Sequence, residues 1–347
     1  MERNDKNLAF MLKFENIAWY ENGEVKILDR RIYPIETRYE ICKNYHEVVK
    51  AIKDMVTQSE GPYIAAAMGM ALAGYEAFIN NVEHPYAYLK EAAYNLYHAR
   101  PTTAKQMEGI VNGSLDLAKE YLDNNDNLKE LDKVLFEYAL NYENNNYARY
   151  TVIGEKMAEL IPDGGTIMTQ CFGGTVIGTM LRACLENNKV VKVICAETRP
   201  YYQGSRLTAS VACDMGFDVT VITDNMPAYT LQNKKVDIFT SASDVITMDG
   251  HIINKIGTFQ IAMACKYFNV PYYCTGTPDL NHQDLSTVEI EERNSELVLK
   301  SLDTKITMDG VKGYYPAFDI TPPEYCAGIV TEKGIYKTNE LYKYFED

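Results

Sequence analysis

The sequence contains no run approaching about 18 consecutive apolar residues, so no membrane-spanning helix is expected. Its first residues, MERNDKNLAFMLKF, lack the apolar centre of a secretory signal. Cysteine is present eight times but never as CxxC, and the positions are scattered and core-like. The expected state is free thiols in a reducing cytosol, which makes the protein cytoplasmic. The five histidines show no metal-ligand spacing, and no structural zinc is expected. Positive charge is scarce: 34 Lys and Arg stand against 48 Asp and Glu, a formal net charge of −14. Such a surface argues against nonspecific binding to nucleic acid or anionic membranes, which need clustered cations. A small anionic substrate remains compatible, since a few local cations hold it.

At 347 residues the chain exceeds one ordinary core, and two domains are expected, 1–146 and 147–347. Residues 10–34 carry two short strand-like runs around ENGE, an Asn-Gly hairpin signal. From Tyr45 to about Tyr142 apolar residues recur near i, i+3 and i+4 in five segments, the pattern of a helical domain. The polar stretch ENNNYARY, residues 143–150, reads as a break. Strands and helices then alternate: GTIMTQ, VVKVICAE, DVTVITD, VDIFTSAS and PYYCTGT are short apolar strands with helical segments between them. The fold class is therefore α/β, with a parallel, doubly wound sheet after a helical domain with a β-hairpin at its start. Ligands of such sheets sit at the carboxyl ends of the strands. There is no internal repeat or low-complexity segment.

Three segments at those strand ends carry candidate chemistry. TIMTQCFGGTVIGTMLRACLE, 166–186, is a strand, a cysteine, two glycines and a helix. It is neither G-x-G-x-x-G nor a P-loop, so a nucleotide loop is disfavoured. Cys171 reads either as a small buried hydrophobe or as a reactive thiol, because a helix N-terminus favours a thiolate. In AETRPYYQGSRLTAS, 196–210, Glu197, Arg199 and Arg206 read as an ion pair at a helix cap or as an anion clamp, with Gln203 and the backbone near Gly204 as further donors. In SASDVITMDGHIINKIGTFQ, 241–260, Asp249 sits in an Asp-Gly turn, whereas Asp244 just past a strand is the better acid/base candidate. Asn254 and Lys255 read as the start of a helix.

With these residues collected, the chain resembles the methylthioribose-1-phosphate isomerase family, which is related to ribose-1,5-bisphosphate isomerase and to regulatory subunits of a translation-initiation exchange factor. The resemblance covers most of the chain. ARPTTA (99–104), AETRPYYQGSRLTA (196–209), ITDNMPAYT (222–230), NKIGTFQIA (254–262), IEERNSE (290–296) and PAFDITPPEYCAGIVTEKG (316–334) carry it. It implies a Rossmann-like domain preceded by a helical domain with a small β-meander, and a homodimer. It also implies conversion of an aldose 1-phosphate to the ketose 1-phosphate, as in methionine salvage, without cofactor or metal. The family's catalytic cysteine and aspartate fall at Cys171 and Asp244, and its substrate and phosphate contacts at Arg100, Gln203, Asn254 and Lys255. Gly173 and Gly174 would serve the oxyanion. On this reading Asp244, protonated in an apolar site, gives a proton to the ring oxygen, and Cys171 as thiolate moves a proton from C2 toward C1.

The chain departs from the family in three places. The segment between Cys171 and LRA is shorter. The family's Arg-Gly-Ala-Pro is SEGP here, residues 59–62, so Ser59 replaces a phosphate-contacting arginine. Val245-Ile246 replace Arg-Ile after the aspartate. Loss of positive charge leaves three further readings open: 5-deoxyribose 1-phosphate, ribose 1,5-bisphosphate, or a noncatalytic sensor of sugar phosphate or nucleotide.

Overall fold

Asn22 and Gly23 both take positive φ, 52° and 81°. That is the primed turn whose twist matches the strands it joins. It connects β1 (Ala18–Glu21) to β2 (Glu24–Leu28), and β3 (Tyr39–Cys42) adds antiparallel to the far side of β2. The structure is a computed structural model and describes residues 2–100, 104–125, 127–302 and 304–346. The chain forms two compact units, Met1–Ala148 and Arg149–Asp347.

In the first unit the meander is followed by α1 (Tyr45–Lys53), α2 (Gly61–Ile79), α3 (Pro85–Tyr97), α4 (Ala104–Asn124) and the start of α5 (Leu131–Leu160). Asn44 caps α1, its side chain accepting the Glu47 N–H at 3.0 Å. Helix α2 is apolar on every face and long enough to cross a membrane by length and composition. It is a core helix, mostly buried inside the fold.

The polar stretch at 143–150 does not break the chain, because α5 runs through it. Its polar side chains have tertiary partners in place of solvent. Asn144 accepts the Asn4 N–H at 2.8 Å and donates to the Glu2 carbonyl at 3.0 Å, and the Tyr147 hydroxyl donates to the Leu12 carbonyl at 2.8 Å.

The second unit alternates as expected: β4 (Thr166–Gln170), α6 (Thr175–Glu186), β5 (Lys192–Ala196), α7 (Ala209–Asp214), β6 (Asp218–Ile222), α8 (Pro227–Asn233) and β7 (Ile238–Ala242). A π-helical turn, Gly204–Thr208, leads into α7. Then come β8 (Val245–Ile246), β9 (Ile252–Lys255), α9 (Thr258–Tyr267) and β10 (Tyr272–Thr275). A short hairpin, β11 (Lys300–Ser301) and β12 (Thr304–Lys305), precedes β13 (Phe318–Thr321), β14 (Gly328–Val330) and β15 (Ile335–Tyr336).

The main sheet has the order β15-β14-β10-β7-β4-β5-β6, parallel except for β15 at one edge. Met168, Ile194, Phe239, Tyr272, Cys274 and Ile329 fill its core. The chain builds from β4 outward to β6, then returns to place β7 on the other side of β4. This reversal opens a crevice beyond the carboxyl ends of β4 and β7, the usual ligand position in such sheets. A second sheet, β13-β9-β8, is antiparallel and was not legible in the sequence. Its strands are two to four residues long, too short for alternation to register.

Candidate active site

Cys171 follows β4 directly and holds φ at +58°. A non-glycine residue in the left-handed region persists only where the surroundings over-determine it. Here both of its backbone polar groups are held by threonines. The Cys171 N–H donates to Thr198 Oγ1 at 2.8 Å, and the Thr208 hydroxyl donates to the Cys171 carbonyl. Thr198 is itself left-handed, at φ +64°, and Asp224 pins its loop by accepting the Thr198 and Arg199 N–H groups at 2.8 and 2.7 Å.

Gln170, 3% exposed, ties this loop to the neighbouring one. Its Oε1 accepts from Thr198 Oγ1 at 3.1 Å, while its Nε2 donates to the Lys255 carbonyl at 2.9 Å and to Thr258 Oγ1. Thr258 Oγ1 also accepts from Asn254 Nδ2 at 3.0 Å. One buried network thus joins the cysteine to Asn254 and Lys255, both 5% exposed. The latter two lie at the end of β9, not at the start of a helix as expected. The helix begins at Thr258, after Gly257 turns the chain with φ +102°.

Gly174, at φ +59° and ψ −130°, is the N-cap of α6, a conformation that side chains exclude. No side chain caps this helix end. Gly204 is needed for a different reason: a Cβ there would lie 1.7 Å from the Ala196 carbonyl at the end of β5. That close approach sets Gln203 beside the crevice. Gln203 is 6% exposed, and its Oε1 has no hydrogen-bond partner among the described residues.

Asp244 follows β7, and its N–H pairs with the Ile253 carbonyl at 2.9 Å. Its side chain is exposed, so the apolar enclosure expected to keep it protonated is not built into this unit. Arg100 belongs to the N-terminal unit, where it follows α3 and is half-buried. The ARPTTA motif that contains it runs into residues 101–103, outside the described residues.

The charges around Cys171 oppose one another. Burial pushes its thiol up to about 11; Lys255 and Arg293 draw it down, and Asp244 pushes it up. The resting group is therefore the thiol, not the thiolate expected from the helix end alone. Lys255 and Arg293 sit over the same ring: Nζ of Lys255 is 4.3 Å, and the Arg293 guanidinium carbon 5.4 Å, from the centre of Phe318. Burial opposes the charge on Arg293, but Glu291, accepting at 2.8 and 2.9 Å, keeps it cationic.

Asp319 lies opposite Asn254 on β13. Its Oδ2 accepts the Gly257 and Phe259 N–H groups at 2.7 and 3.1 Å, and burial pushes it up to about 6. Arg199 donates to the Tyr202 hydroxyl at 2.8 Å and to backbone carbonyls of Val298 and Lys300, and no ion pair between Glu197 and Arg199 is seen among the described residues.

Sequence reasoning placed Cys171 and Asp244 at strand ends, and they follow β4 and β7 of the main sheet; Asn254 and Lys255, read as a helix start, end β9 of the second sheet and reach the cysteine's loop through Gln170. It gave no role to Gln170, Thr208, Thr258 or Arg293, and named Thr198 only by its place at a strand end. Arg293 was within reach, as the one arginine of IEERNSE. The threonines carry no pattern that separates them from other strand-end threonines.

Comparison with known proteins identifies the family and the fold. Residues 56–338 match the model of the initiation factor 2 subunit family. A methylthioribose-1-phosphate isomerase of Thermosipho africanus is 35% identical over 97% of this chain and 99% of its own. One from Carboxydothermus hydrogenoformans is 35% identical over 94% and 97%. The crystal structure of 5-methylthioribose 1-phosphate isomerase from Pyrococcus horikoshii superposes with a TM-score of 0.81 at 29% identity, covering 95% of each chain. That of the delta subunit of translation initiation factor eIF-2B from A. fulgidus gives 0.80 at 31%, covering 92% of this chain and 94% of that one. With the family model matched across both units and curated relatives aligned almost end to end, the chain belongs to the initiation factor 2 subunit family, on the branch it shares with methylthioribose-1-phosphate isomerases.

Proposed function

We propose that the protein is an aldose–ketose isomerase of sugar 1-phosphates, acting on methylthioribose 1-phosphate or a close analogue in methionine salvage. The observation that carries this reading is the placement of Cys171 and Asp244 on the two strands that flank the sheet's reversal point, with Asn254 and Lys255 tied to the cysteine through Gln170. A binding module has no use for a thiol held in a left-handed backbone beside a carboxylate.

The phosphate on the anomeric oxygen blocks spontaneous ring opening, so the enzyme must break the bond between C1 and the ring oxygen. Cys171 takes the proton from C2, and the electron pair forms the C1–C2 double bond. The C1–oxygen bond breaks as Asp244 gives its proton to the departing ring oxygen. In the second half the C2 hydroxyl returns a proton to Asp244, and Cys171 delivers its proton to C1. The product is the ketose 1-phosphate with both groups restored.

The resting thiol and Asp244 exchange one proton to enter this cycle, and Lys255 and Arg293 lower the cost by attracting the thiolate. The open start of α6 at Gly173-Gly174 faces the charge developing on oxygen. Gln203, Asn254 and Lys255 hold the phosphate and hydroxyls. A homodimer is part of the proposal.

The second reading, a noncatalytic relative, draws on Ser59. It replaces the family arginine and hydrogen-bonds Glu60 at 2.5 Å, so a carboxylate stands at the start of α2. Phosphorus and proton NMR of the protein with methylthioribose 1-phosphate, 5-deoxyribose 1-phosphate and ribose 1,5-bisphosphate separates the two. Conversion of one sugar to its ketose is expected. Inert spectra for all three with folded protein would overturn the isomerase reading and favour the regulatory one.

A further inference from the structure

We propose that Tyr315 is a further catalytic residue of this site, its hydroxyl donating a hydrogen bond to the substrate C2 oxygen as negative charge develops there. The inference rests on the isomerase reading and adds a group that no motif marks.

Tyr315 is 3% exposed, and its hydroxyl is buried without a hydrogen-bond partner among the described residues. Native interiors rarely leave a buried hydroxyl unpaired, because it forfeits its bonds to water. One that persists needs a reason, and a ligand that completes it is such a reason.

Two independent chains of contact tie the Tyr315 segment to the loop of the cysteine. On one side, the Ala317 carbonyl accepts the Ile256 N–H at 3.0 Å, and the adjacent Lys255 carbonyl is bound by Gln170, the neighbour of Cys171. On the other, the Tyr315 ring lies 6.3 Å from that of Tyr201, which follows the Thr198 loop holding the Cys171 N–H. The Tyr315 carbonyl also accepts the Arg293 N–H at 3.0 Å, which locks the segment against the second cation of the site.

Arg293 bears on the phenol oxygen both as a charge and as a long donor contact, which leaves the hydroxyl's own hydrogen without an acceptor among the described residues; Tyr201 and Cys171 bear on it as charges. Burial raises the phenol, so it stays neutral and can donate. A neutral donor beside the Arg293 cation suits an oxygen that is neutral in the sugar and charged in the enolate. Gln203 supplies the complementary orphan: its buried Oε1 accepts from a sugar hydroxyl, while Tyr315 gives to the oxygen that gains charge. The two unpaired atoms thus have opposite roles within one site.

The test is Tyr315→Phe, which removes one oxygen and nothing else. In the NMR assay kcat should fall on the order of 100-fold with KM changed less than about threefold, the signature of an interaction made in the transition state. The melting temperature should change little, since the hydroxyl donates to no acceptor among the described residues and gives up only a long contact from Arg293. Binding of phosphoglycolohydroxamate, an enediolate phosphate mimic, should weaken at least about tenfold, while binding of inorganic phosphate should not.

A wild-type enzyme that turns over a sugar, with the variant within twofold of it, overturns the role of Tyr315 and leaves the isomerase standing. A lower melting temperature with unchanged kcat assigns the hydroxyl to structure and overturns it too. A wild-type protein inert toward all three sugars refutes the isomerase reading and takes this proposal with it.

Discussion

The loops after β4 and β7 lie side by side, yet they are built in opposite ways. The first puts Cys171 in a left-handed backbone, braces its N–H and carbonyl with two threonines, and links it through Gln170 to the end of β9. The second puts Asp244 on an exposed step into a two-residue strand, where its N–H donates to the Ile253 carbonyl of β9. The difference teaches where each half of the proposed acid/base pair gets its protonation state. The thiol's is set inside the fold, by burial against two cations. The carboxyl's must be set by what covers the crevice, the substrate included, because its own unit leaves it open to water.

The sharpest break of this comparison is Cys171→Ser. Replacing the sulfur by oxygen should cut turnover about 10³-fold or more while the far-ultraviolet circular dichroism and melting curve hold, since the backbone braces remain. Near-normal turnover would remove the cysteine from the mechanism. Asp244→Asn comes next, with a loss of about 10²-fold and almost no change in stability, as expected for an exposed group. If that variant is fully active, the open loop carries no chemistry.

The buried-thiol side is sharpened by peptide-resolved alkylation, which also separates Cys171 from the exposed Cys213. With the thiol pushed up to about 11, the iodoacetamide rate should climb about tenfold per pH unit from 7 toward 11. A plateau near pH 8 would show a thiol that the fold does not hold up. Lys255→Met should move the curve to higher pH, because that cation stabilises the thiolate.

Thr198→Val tests the braces. It leaves the Cys171 N–H and Gln170 Oε1 unpaired, and should cost about 1–2 kcal/mol of stability and several-fold in kcat. Unchanged kcat at lower stability would make the network structural only.

The smallest effect concerns Asp319, held up to about 6 by burial. Its raised value means the folded state binds the proton more tightly than the unfolded chain. The resulting stabilisation is complete below about pH 4 and fades as pH rises through about 6. Asp319→Asn, which can still accept the Gly257 and Phe259 N–H groups, should flatten that slope by about 1 kcal/mol once partial exposure is allowed for. An unaltered urea midpoint profile between pH 4 and 7 would count against it.

The α/β order and the strand-end residues were legible because period and punctuation are local. Each of β4, β5, β6, β7 and β10 is a short apolar run between helical segments. What the sequence hid was hidden for two physical reasons. Residues 143–150 read as a break because their polarity looks solvated, whereas Asn144 and Tyr147 are answered by the N-terminal segment more than 130 positions away. Asn254-Lys255 read as a helix start because Gly257, two residues on, resets the chain with a backbone angle that composition does not announce.

The sequence by itself determined the alternation of strands and helices, the hairpin at Asn22-Gly23, the scarcity of cations and the placement of Cys171 and Asp244 just past strands, since each depends only on the residues along the chain. The tertiary structure alone decided which of those side chains meet. The return of the chain past β4 creates the crevice, and burial then decides that Cys171 rests as a thiol and leaves the hydroxyl of Tyr315 and the carbonyl of Gln203 without partners. Protonation and unpaired hydrogen bonds are properties of surroundings, and those surroundings come from residues far apart in the chain.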